Sequence, residues 1–461
     1  MNDEELLNWL DRHHVDVIRT HATSLDGPGL GKYLHHDKFF KCLPKGHAIS
    51  DIALFSNING TPHMTVWHPQ REANLGDIYL RPDISTLIPD GTDTKLGHCI
   101  CDFTNNAGES LDLCPRSTLK RMVAEVAELG FEIKATYELE FFIFRESYDE
   151  IRRGRYRNFT RLTASNKAGI YNLRNAYLAK PFMDEVIKRM EWKGIAWEGW
   201  NDEAAKGQLE LNLIPSDPVS AADNVVRTKQ ILYEVAIDLG MAITFMARPG
   251  AGYSNGMHMH HSLVGADTGE AAFFDKGAPQ CRSQLMTHWL AGLVATLPGA
   301  VSYLCPTVNS FRRFSDFSGS PTTTTWGEEN KTAALRLISH TEKQSRIEHR
   351  VGASDLNPYL GMAVLLAGGL AGVKHSLNPP DEFSKVAWGL PPSEADLPRT
   401  ITQAAECLKA DELLKEVLGS GNIEYWAKTR EAEWLAFHTE GGDALGHKTS
   451  FWELERYFEI I

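Results

Sequence analysis

A chain of 461 residues, 43% of them hydrophobic, can bury a large core and is long enough for two or three domains. Its 60 acidic and 47 basic residues give a formal charge of −13 with no long Lys/Arg run to offset it, which excludes nucleic acid and an anionic membrane as partners. Seven cysteines, an odd number without paired metal spacing, and no signal peptide at Met1-Asn2-Asp3 predict free thiols and a cytoplasmic protein.

Residues 4 to 14 predict a small amphipathic helix, followed by a strand over Val15 to Thr20 and a turn at Asp26-Gly-Pro-Gly-Leu-Gly31. Short apolar segments continue to Phe103, punctuated by Gly, Pro, Asn and Asp, with Cys99-Ile-Cys101 placing both thiols on one face of a strand. This pattern suits a small β-rich domain over 1–110, with the remainder, 111–461, forming a second domain. A helix over Ser117 to Leu129 groups Leu119, Met122, Val123 and Val126 on one face and stops at Gly130. A strand follows over Phe131 to Phe144 and a helix over Lys180 to Lys193, and single strands separated by helices continue from there. The basic cluster Arg152 to Arg161 reads as a solvated loop. Leu360 to Val373 reads as a buried helix, too short and too rich in glycine to cross a bilayer. Thr402 to Leu418 predicts one helix, and the chain ends in Phe451 to Ile461.

Four stretches alternate apolar with metal- or phosphate-binding residues: Glu138-Leu-Glu140, Gln208-Leu-Glu210, His258-Met-His260 and Arg346-Ile-Glu348-His-Arg350. In a strand, residues i, i+2 and i+4 project from one face, so each stretch aims its polar set one way and buries the apolar residue behind it. Taken singly, such a pair also fits a solvated strand face. Four of them converging would concentrate carboxylates, imidazoles and guanidiniums in one place, and that much negative charge requires cations. Oxygen-rich donors with a histidine suit Mg²⁺ or Mn²⁺, two or more per site, and arginines grip phosphate or carboxylate bidentately. Together they point to phosphoryl transfer from a nucleotide.

The segments Glu138-Leu-Glu140-Phe-Phe, Glu203-Ala-Ala-Lys-Gly-Gln-Leu-Glu210, Gly256-Met-His-Met-His260-His-Ser-Leu, Pro306 to Arg313, Asn330 to Arg336 and Arg346 to Tyr359 give the chain, over nearly its whole length, a sequence that resembles the glutamine synthetase family. The resemblance implies an α+β fold, with a small β-grasp-like N-terminal domain and a catalytic domain of curved antiparallel strands with helices. It implies one metal held by Glu140, Glu203 and Glu210 and a second held by Glu138, His258 and Glu348. It places Glu198, His260, Ser262, Lys343 and Arg346 at nucleotide-contacting positions. It puts Arg313 on the substrate α-carboxylate, and Arg336 and Arg350 around the transferred phosphate and γ-carboxylate. Lys331 stands where the family commonly has arginine, and Asp26 resembles the N-domain loop residue that completes a neighbouring subunit's site. The implied reaction uses ATP to convert the γ-carboxylate of glutamate into an acyl phosphate that an amine displaces. The implied assembly is a homo-oligomeric ring, a dodecamer of two hexamers.

The sequence departs from that pattern where substrates are chosen. Ammonia-using members carry a flap glutamate six residues after the Arg313 position, and here the count lands on Gly319. Ammonium is small and strongly hydrated and needs a close anion to replace lost water. Removing that carboxylate opens space for an organic substituent, so an organic amine is the expected nucleophile and a γ-glutamyl amide the product. Asp316, Glu328, Glu329 and Asp26 are candidate bases for the amine proton. The loop Gly252-Tyr-Ser-Asn-Gly256 replaces the usual Asn-Gly-Ser-Gly, and Trp192, Trp197, Trp200 and Trp326 fall close in sequence to site segments, where core packing is the expected role ahead of an aromatic wall for the amine. No tyrosine lies near Trp388 to Pro392, where regulated members carry an adenylylation site. The alternatives are an ordinary ammonia-using synthetase, a catalytically silent relative, and a divalent-metal hydrolase, which would not need Lys343 and Arg346.

Overall fold

The computed structural model describes residues 3–71, 75–164, 169–250, 252–315, 318–391, 393, 396–443 and 448–461. Two sheets organise them. The first contains β1 (Val17–Thr23), β2 (Gly29–Leu30), β3 (Tyr33–His35), β4 (His47–Ser50), β5 (Asp77–Pro82), β6 (Ile88–Pro89) and β7 (Leu96–Thr104). Its order is β2-β1-β7-β5-β4, with β3 on β1 and β6 on β7, and only β1 and β7 run parallel. β7, which carries Cys99 and Cys101, is buried on both faces, as its central place in the sheet requires.

The second sheet contains β8 (Phe131–Phe144), β9 (Trp197–Asp202), β10 (Gln208–Leu213), β11 (Ala242–Thr244), β12 (Met257–Gly265), β13 (Trp326–Glu328), β14 (Leu335–Ile338) and β15 (Arg346–His349). Its order is β13-β14-β15-β12-β8-β10-β9, with β11 on β8. The antiparallel expectation holds for every pair except β13 and β14, which are parallel. The four polar–apolar stretches all lie in this sheet, on the neighbouring strands β15, β12, β8 and β10. The fold is α+β.

Helices pack against the hidden face. Gln284–Leu304 and Pro358–Lys374 lie so close that a Cβ on Gly292 would fall 2.0 Å from the Gly368 carbonyl oxygen. The glycines of the Leu360–Val373 run are what allow this approach. Among the described residues, Gln284–Leu304 is the one helix long and apolar enough to cross a membrane, and 72% of its apolar window is buried inside the protein.

Arg116, at the start of helix Pro115–Glu128, ties the sheets together. It donates to Asp102 on β7 and, through two nitrogens at 2.9 Å, to Asp223 on helix Pro218–Asp238. The helix expected over Lys180 to Lys193 begins earlier, spanning Leu173–Trp192, because Asn172 caps its first turn. The helix expected over Thr402 to Leu418 is two, Ile401–Ala410 and Glu412–Leu418. The Asp411 carboxylate accepts from the Leu414 amide and restarts the helix there. Arg161, expected in a solvated loop, instead sits over the Phe142 ring at 4.1 Å. Pro392, at the end of the Trp388 run, lies outside the described residues.

Lys229, half-buried on helix Pro218–Asp238, donates to the Ser354 carbonyl at 2.6 Å and lies over the Phe245 ring. Burial pushes its ammonium down to about 7, against the pull of Asp355. The unfolded chain keeps this proton up to the ordinary lysine range while the folded chain sheds it near pH 7, so stability should rise with pH between those limits. The expected slope in urea unfolding is up to roughly 1.4 kcal/mol per pH unit, and Lys229→Met should remove it. Equal slopes in the two proteins would rule out the lysine as the source.

Candidate active site

The polar faces of β15, β12, β8 and β10 form the floor of a cleft of about 610 Å³. Register decides which side chains meet. His258 stands directly opposite Glu138, Glu140 opposite Glu210, and Glu348 faces His260 on one side and Arg336 on the other. Directly opposed residues have their Cβ atoms about 5 Å apart, so the backbone ladder itself converges the donors.

The Glu138 carboxylate accepts from His258 Nδ1 and His260 Nε2, both at 3.0 Å. Burial would raise its pKa, but these two imidazoles hold it well below the usual carboxylate range. Glu348 is almost fully buried, between Arg336, at 3.0 Å, and Arg350. There burial is outweighed by Arg350 and then the two histidines, and its carboxyl falls to about 2.

The other carboxylates behave oppositely. Burial, then the charge of Glu203, pushes Glu140 up to about 8. Burial, then Glu138, Glu140 and Glu203, pushes Glu210 up to about 9. Glu203 is raised chiefly by burial. Ionising these carboxyls together would concentrate negative charge that the arginines do not neutralise, and a cation would relieve it.

One donor atom each from Glu138, His258 and Glu348 lies within 4.8 Å of the others, and the same holds for Glu140, Glu210 and His258. Both sets fit hard divalent ions, which take carboxylate oxygen with an occasional imidazole. The first trio is the one expected from sequence. In the second, His258 joins Glu140 and Glu210. Glu203, expected there, lines the same cleft but lies outside that close grouping.

Arg313, Arg336 and Arg350 also line the cleft, together with Lys331. Arg313 is 2% exposed and donates to the Val351 carbonyl at 2.6 Å. Its Nε is buried with no partner among the described residues. A buried guanidinium with spare donors is suited to a carboxylate. His260, Ser262 and Arg346 continue the polar face outward, with the Arg346 Nε 3.4 Å from His260 Nδ1.

Two expected site residues, Glu198 and Lys343, are not brought into this cleft. Glu198 is exposed at an irregularity of β9, where the register with β10 shifts. Lys343 is exposed on the short helix Glu342–Gln344. Asp26, expected to complete a neighbouring subunit's site, is buried and ion-paired with Arg430 of the same chain.

Sequence reasoning singled out Gln208 and the loop before Gly256 but not the bonds that join them, and it missed other lining groups. Gln208 Nε2 donates to Glu140, to the Ser254 carbonyl and to Asn255, and the Gly256 amide donates to Glu140 at 2.7 Å. Together they lock the Tyr253–Gly256 loop onto a candidate metal ligand. Asn201 and Asn212 line the cleft from β9 and β10, at positions that strand alternation could have revealed. Tyr171 also lines it, and no pattern in the sequence marks that residue.

The four tryptophans do not form a wall in the cleft. Trp192 packs on Gly91, and the buried Trp326 donates to the Pro380 carbonyl beneath Arg282. Trp197 donates toward Glu191, and Trp200 packs against the core.

Comparison with known proteins identifies the family. The family model described as "Glutamine synthetase, catalytic domain" matches residues 112–457. A glutamate–isopropylamine ligase from Pseudomonas sp is 29% identical over 464 residues, covering 98% of this chain and 97% of that protein. A type-1 glutamine synthetase from Dictyostelium discoideum is 31% identical, covering 100% and 87% respectively. A γ-glutamylethanolamide synthetase from Streptomyces coelicolor is 30% identical, covering 84% and 80%. Among solved structures, a GmaS/ADP complex superposes with a TM-score of 0.82 at 24% identity, covering 99% of each chain. The chain belongs to the glutamine synthetase family of ATP-dependent carbon–nitrogen ligases.

Proposed function

We propose that the protein activates the γ-carboxylate of glutamate with ATP and joins it to an organic amine, releasing ADP and phosphate. The observation that carries the choice of amine is Gly319. It lines the cleft at φ 90°, and among the described residues a Cβ there would meet only Tyr253 Cδ1, at 3.8 Å. Among the described residues that space is open, and Gly319 itself has no carboxylate to replace the water ammonium would lose. Relatives named for isopropylamine and ethanolamide chemistry agree with this reading.

In this reading a glutamate γ-oxygen attacks the terminal phosphorus of ATP, the bond to ADP breaks, and an acyl phosphate forms. The amine nitrogen then attacks the acyl carbon, phosphate departs, and a proton leaves the nitrogen. Mg²⁺ or Mn²⁺ held by Glu138, His258 and Glu348, and by Glu140, Glu210 and Glu203, would supply charge neutralisation for the approach of two anions. Arg313 grips the α-carboxylate. Arg336 and Arg350, both already on Glu348, line the path of the transferred phosphate. Of the candidate bases, Glu328 is occupied by Ser339 and Arg282, and Asp26 by Arg430. Glu329 pairs with cleft-lining Arg336, while Asp316 lies outside the described residues. A ring of subunits, with a dodecamer as the family form, and a cytoplasmic location belong to the same reading.

The test is phosphate release from ATP with glutamate and Mg²⁺, comparing ammonia with a panel of primary amines. Ammonia outperforming every organic amine would overturn the proposal. Gly319→Glu should raise the ammonia-to-amine ratio of kcat/KM by about 10-fold or more (roughly 1.4 kcal/mol). Gly319→Ala controls for the strain that any side chain meets at positive φ and should not reproduce the shift.

A further inference from the structure

Gln208, the first residue of β10, is 1% exposed. A side-chain amide this deeply buried has to find partners within the protein for its two N–H groups and its oxygen. Its Oε1 accepts from the Ala205 amide at 3.1 Å. That bond fixes the orientation of the group, because the flipped amide would set N–H against N–H. Nε2 is thereby turned toward Glu140 Oε2 at 3.0 Å, the Ser254 carbonyl at 3.1 Å and Asn255 Oδ1 at 3.0 Å. Three acceptors face two N–H groups, so one N–H is shared between them.

The segments that meet at this amide each carry part of the site. Glu140 is a candidate metal ligand, and the bonds it accepts from Gln208 and from the Gly256 amide both fall on Oε2. Ala205 belongs to the turn after Glu203, whose own amide donates to the Gln208 carbonyl at 2.9 Å. Asn255 is fully buried and spends its Nδ2 on the Thr244 and Met246 carbonyls, which leaves its oxygen for Gln208. A Cβ on Gly256 would lie 3.1 Å from an Arg313 terminal nitrogen, 3.3 Å from His258 Nε2 and 3.6 Å from Glu140 Oε1. The backbone of this loop therefore packs directly on Arg313 and on two candidate metal ligands.

We infer that Gln208 is a positioning residue that couples the Glu140 metal position to the loop beside Arg313, so that a divalent cation and glutamate each tighten the binding of the other. The inference rests on the ligase reading given above. An anionic acceptor holds an N–H more strongly than a neutral carbonyl does. With its charge shared by a cation, Glu140 becomes the weakest of the three acceptors, and Gln208 gives its N–H groups to Ser254 and Asn255. The loop is then held more firmly against Arg313, and a loop ordered in advance costs glutamate less on binding. Linkage makes the effect reciprocal: the factor that the cation adds to glutamate affinity is the factor that glutamate adds to cation affinity.

The test is Mn²⁺ titration of the nucleotide-free protein with and without saturating glutamate. In the parent, glutamate should tighten Mn²⁺ by about 10-fold, within the usual range for two coupled sites. Gln208→Met keeps the length of the side chain without its amide, and should bring that factor to within about 2-fold of unity. Gln208→Glu keeps an acceptor for the Ala205 amide and removes only the N–H groups, and should lose the coupling as well. Circular dichroism checks that both are folded, and Gln208→Glu carries the test if Gln208→Met is not. Hydrogen exchange over residues 252–257 gives a readout independent of turnover: Mn²⁺ should slow it in the parent and leave it unchanged in the variants. A glutamine that only supports the fold would weaken both ligands and leave the factor as it was.

Coupling retained in the variants would overturn the inference and point instead to direct contact between glutamate and the cation, which needs no amide. A parent in which glutamate leaves Mn²⁺ affinity unchanged would overturn it too. In both cases, amine-dependent phosphate release by the parent would leave the ligase standing. A parent that neither binds glutamate nor releases phosphate with any amine would overturn both readings.

Discussion

Glu138→Gln is expected to reduce ATP- and glutamate-dependent phosphate release by about 10²–10³-fold, the cost typical of deleting one preorganised electrostatic group at a reacting centre. The substitution keeps the side chain's size and removes only its charge. That charge is the one both His258 and His260 donate to, and its removal leaves two buried imidazoles without their acceptor anion. It also takes one ligand from the trio with His258 and Glu348. The effect should be on activity more than on folding, because Leu139 behind it still fills the core. Circular dichroism and Mn²⁺ titration of the purified variant would show a folded protein with weakened metal binding. Parent-like activity would mean that the trio is structural.

The second large effect belongs to Arg313. Arg313→Lys should raise the KM for glutamate about 100-fold, equivalent to ~2.7 kcal/mol, with a much smaller change for ATP. Lysine keeps the positive charge but loses the planar fork. One arm of that fork is already spent on the Val351 carbonyl, which fixes the direction of the rest. A lysine must either keep that bond or reach the substrate, and it cannot do both with the same geometry. Equal losses for glutamate and ATP would instead point to a collapsed site.

Much of the chemistry was legible because it is written with period two. Glu138, Glu140, Gln208, Glu210, His258 and His260 sit on strands, where alternation fixes the face each side chain occupies. The limits of β8 were readable for the same reason: Phe131 to Phe144 alternates along its length and ends at a polar turn. Three kinds of information were not readable. One is pairing between distant segments, which brings His258 within reach of Glu140 and Glu210 as well as of Glu138 and Glu348. Another is backbone conformation outside regular elements: nothing in the sequence around Tyr171 signals a positive φ. The last is competition among polar groups. Asp26 sits in a turn that looks available for catalysis, but Arg430, more than 400 residues away, takes its carboxylate. Likewise Asp411 was read as a helix interior when its side chain made it a cap.

The rung-for-rung pairing of Glu138 with His258 and Glu140 with Glu210 bears on how such an enzyme can be re-engineered. Deleting or inserting a single residue inside β8 would turn every following side chain to the opposite face and dismantle both donor groups at once. The segments around Tyr171 and Gly319 hang off the ends of that ladder and are free of this constraint, whereas the Tyr253–Gly256 loop is tied to Glu140. Libraries that vary length as well as identity are therefore admissible in those loops and ruinous in the strands. A chain built this way can acquire a new nucleophile by changing its rim while inheriting its activation chemistry intact.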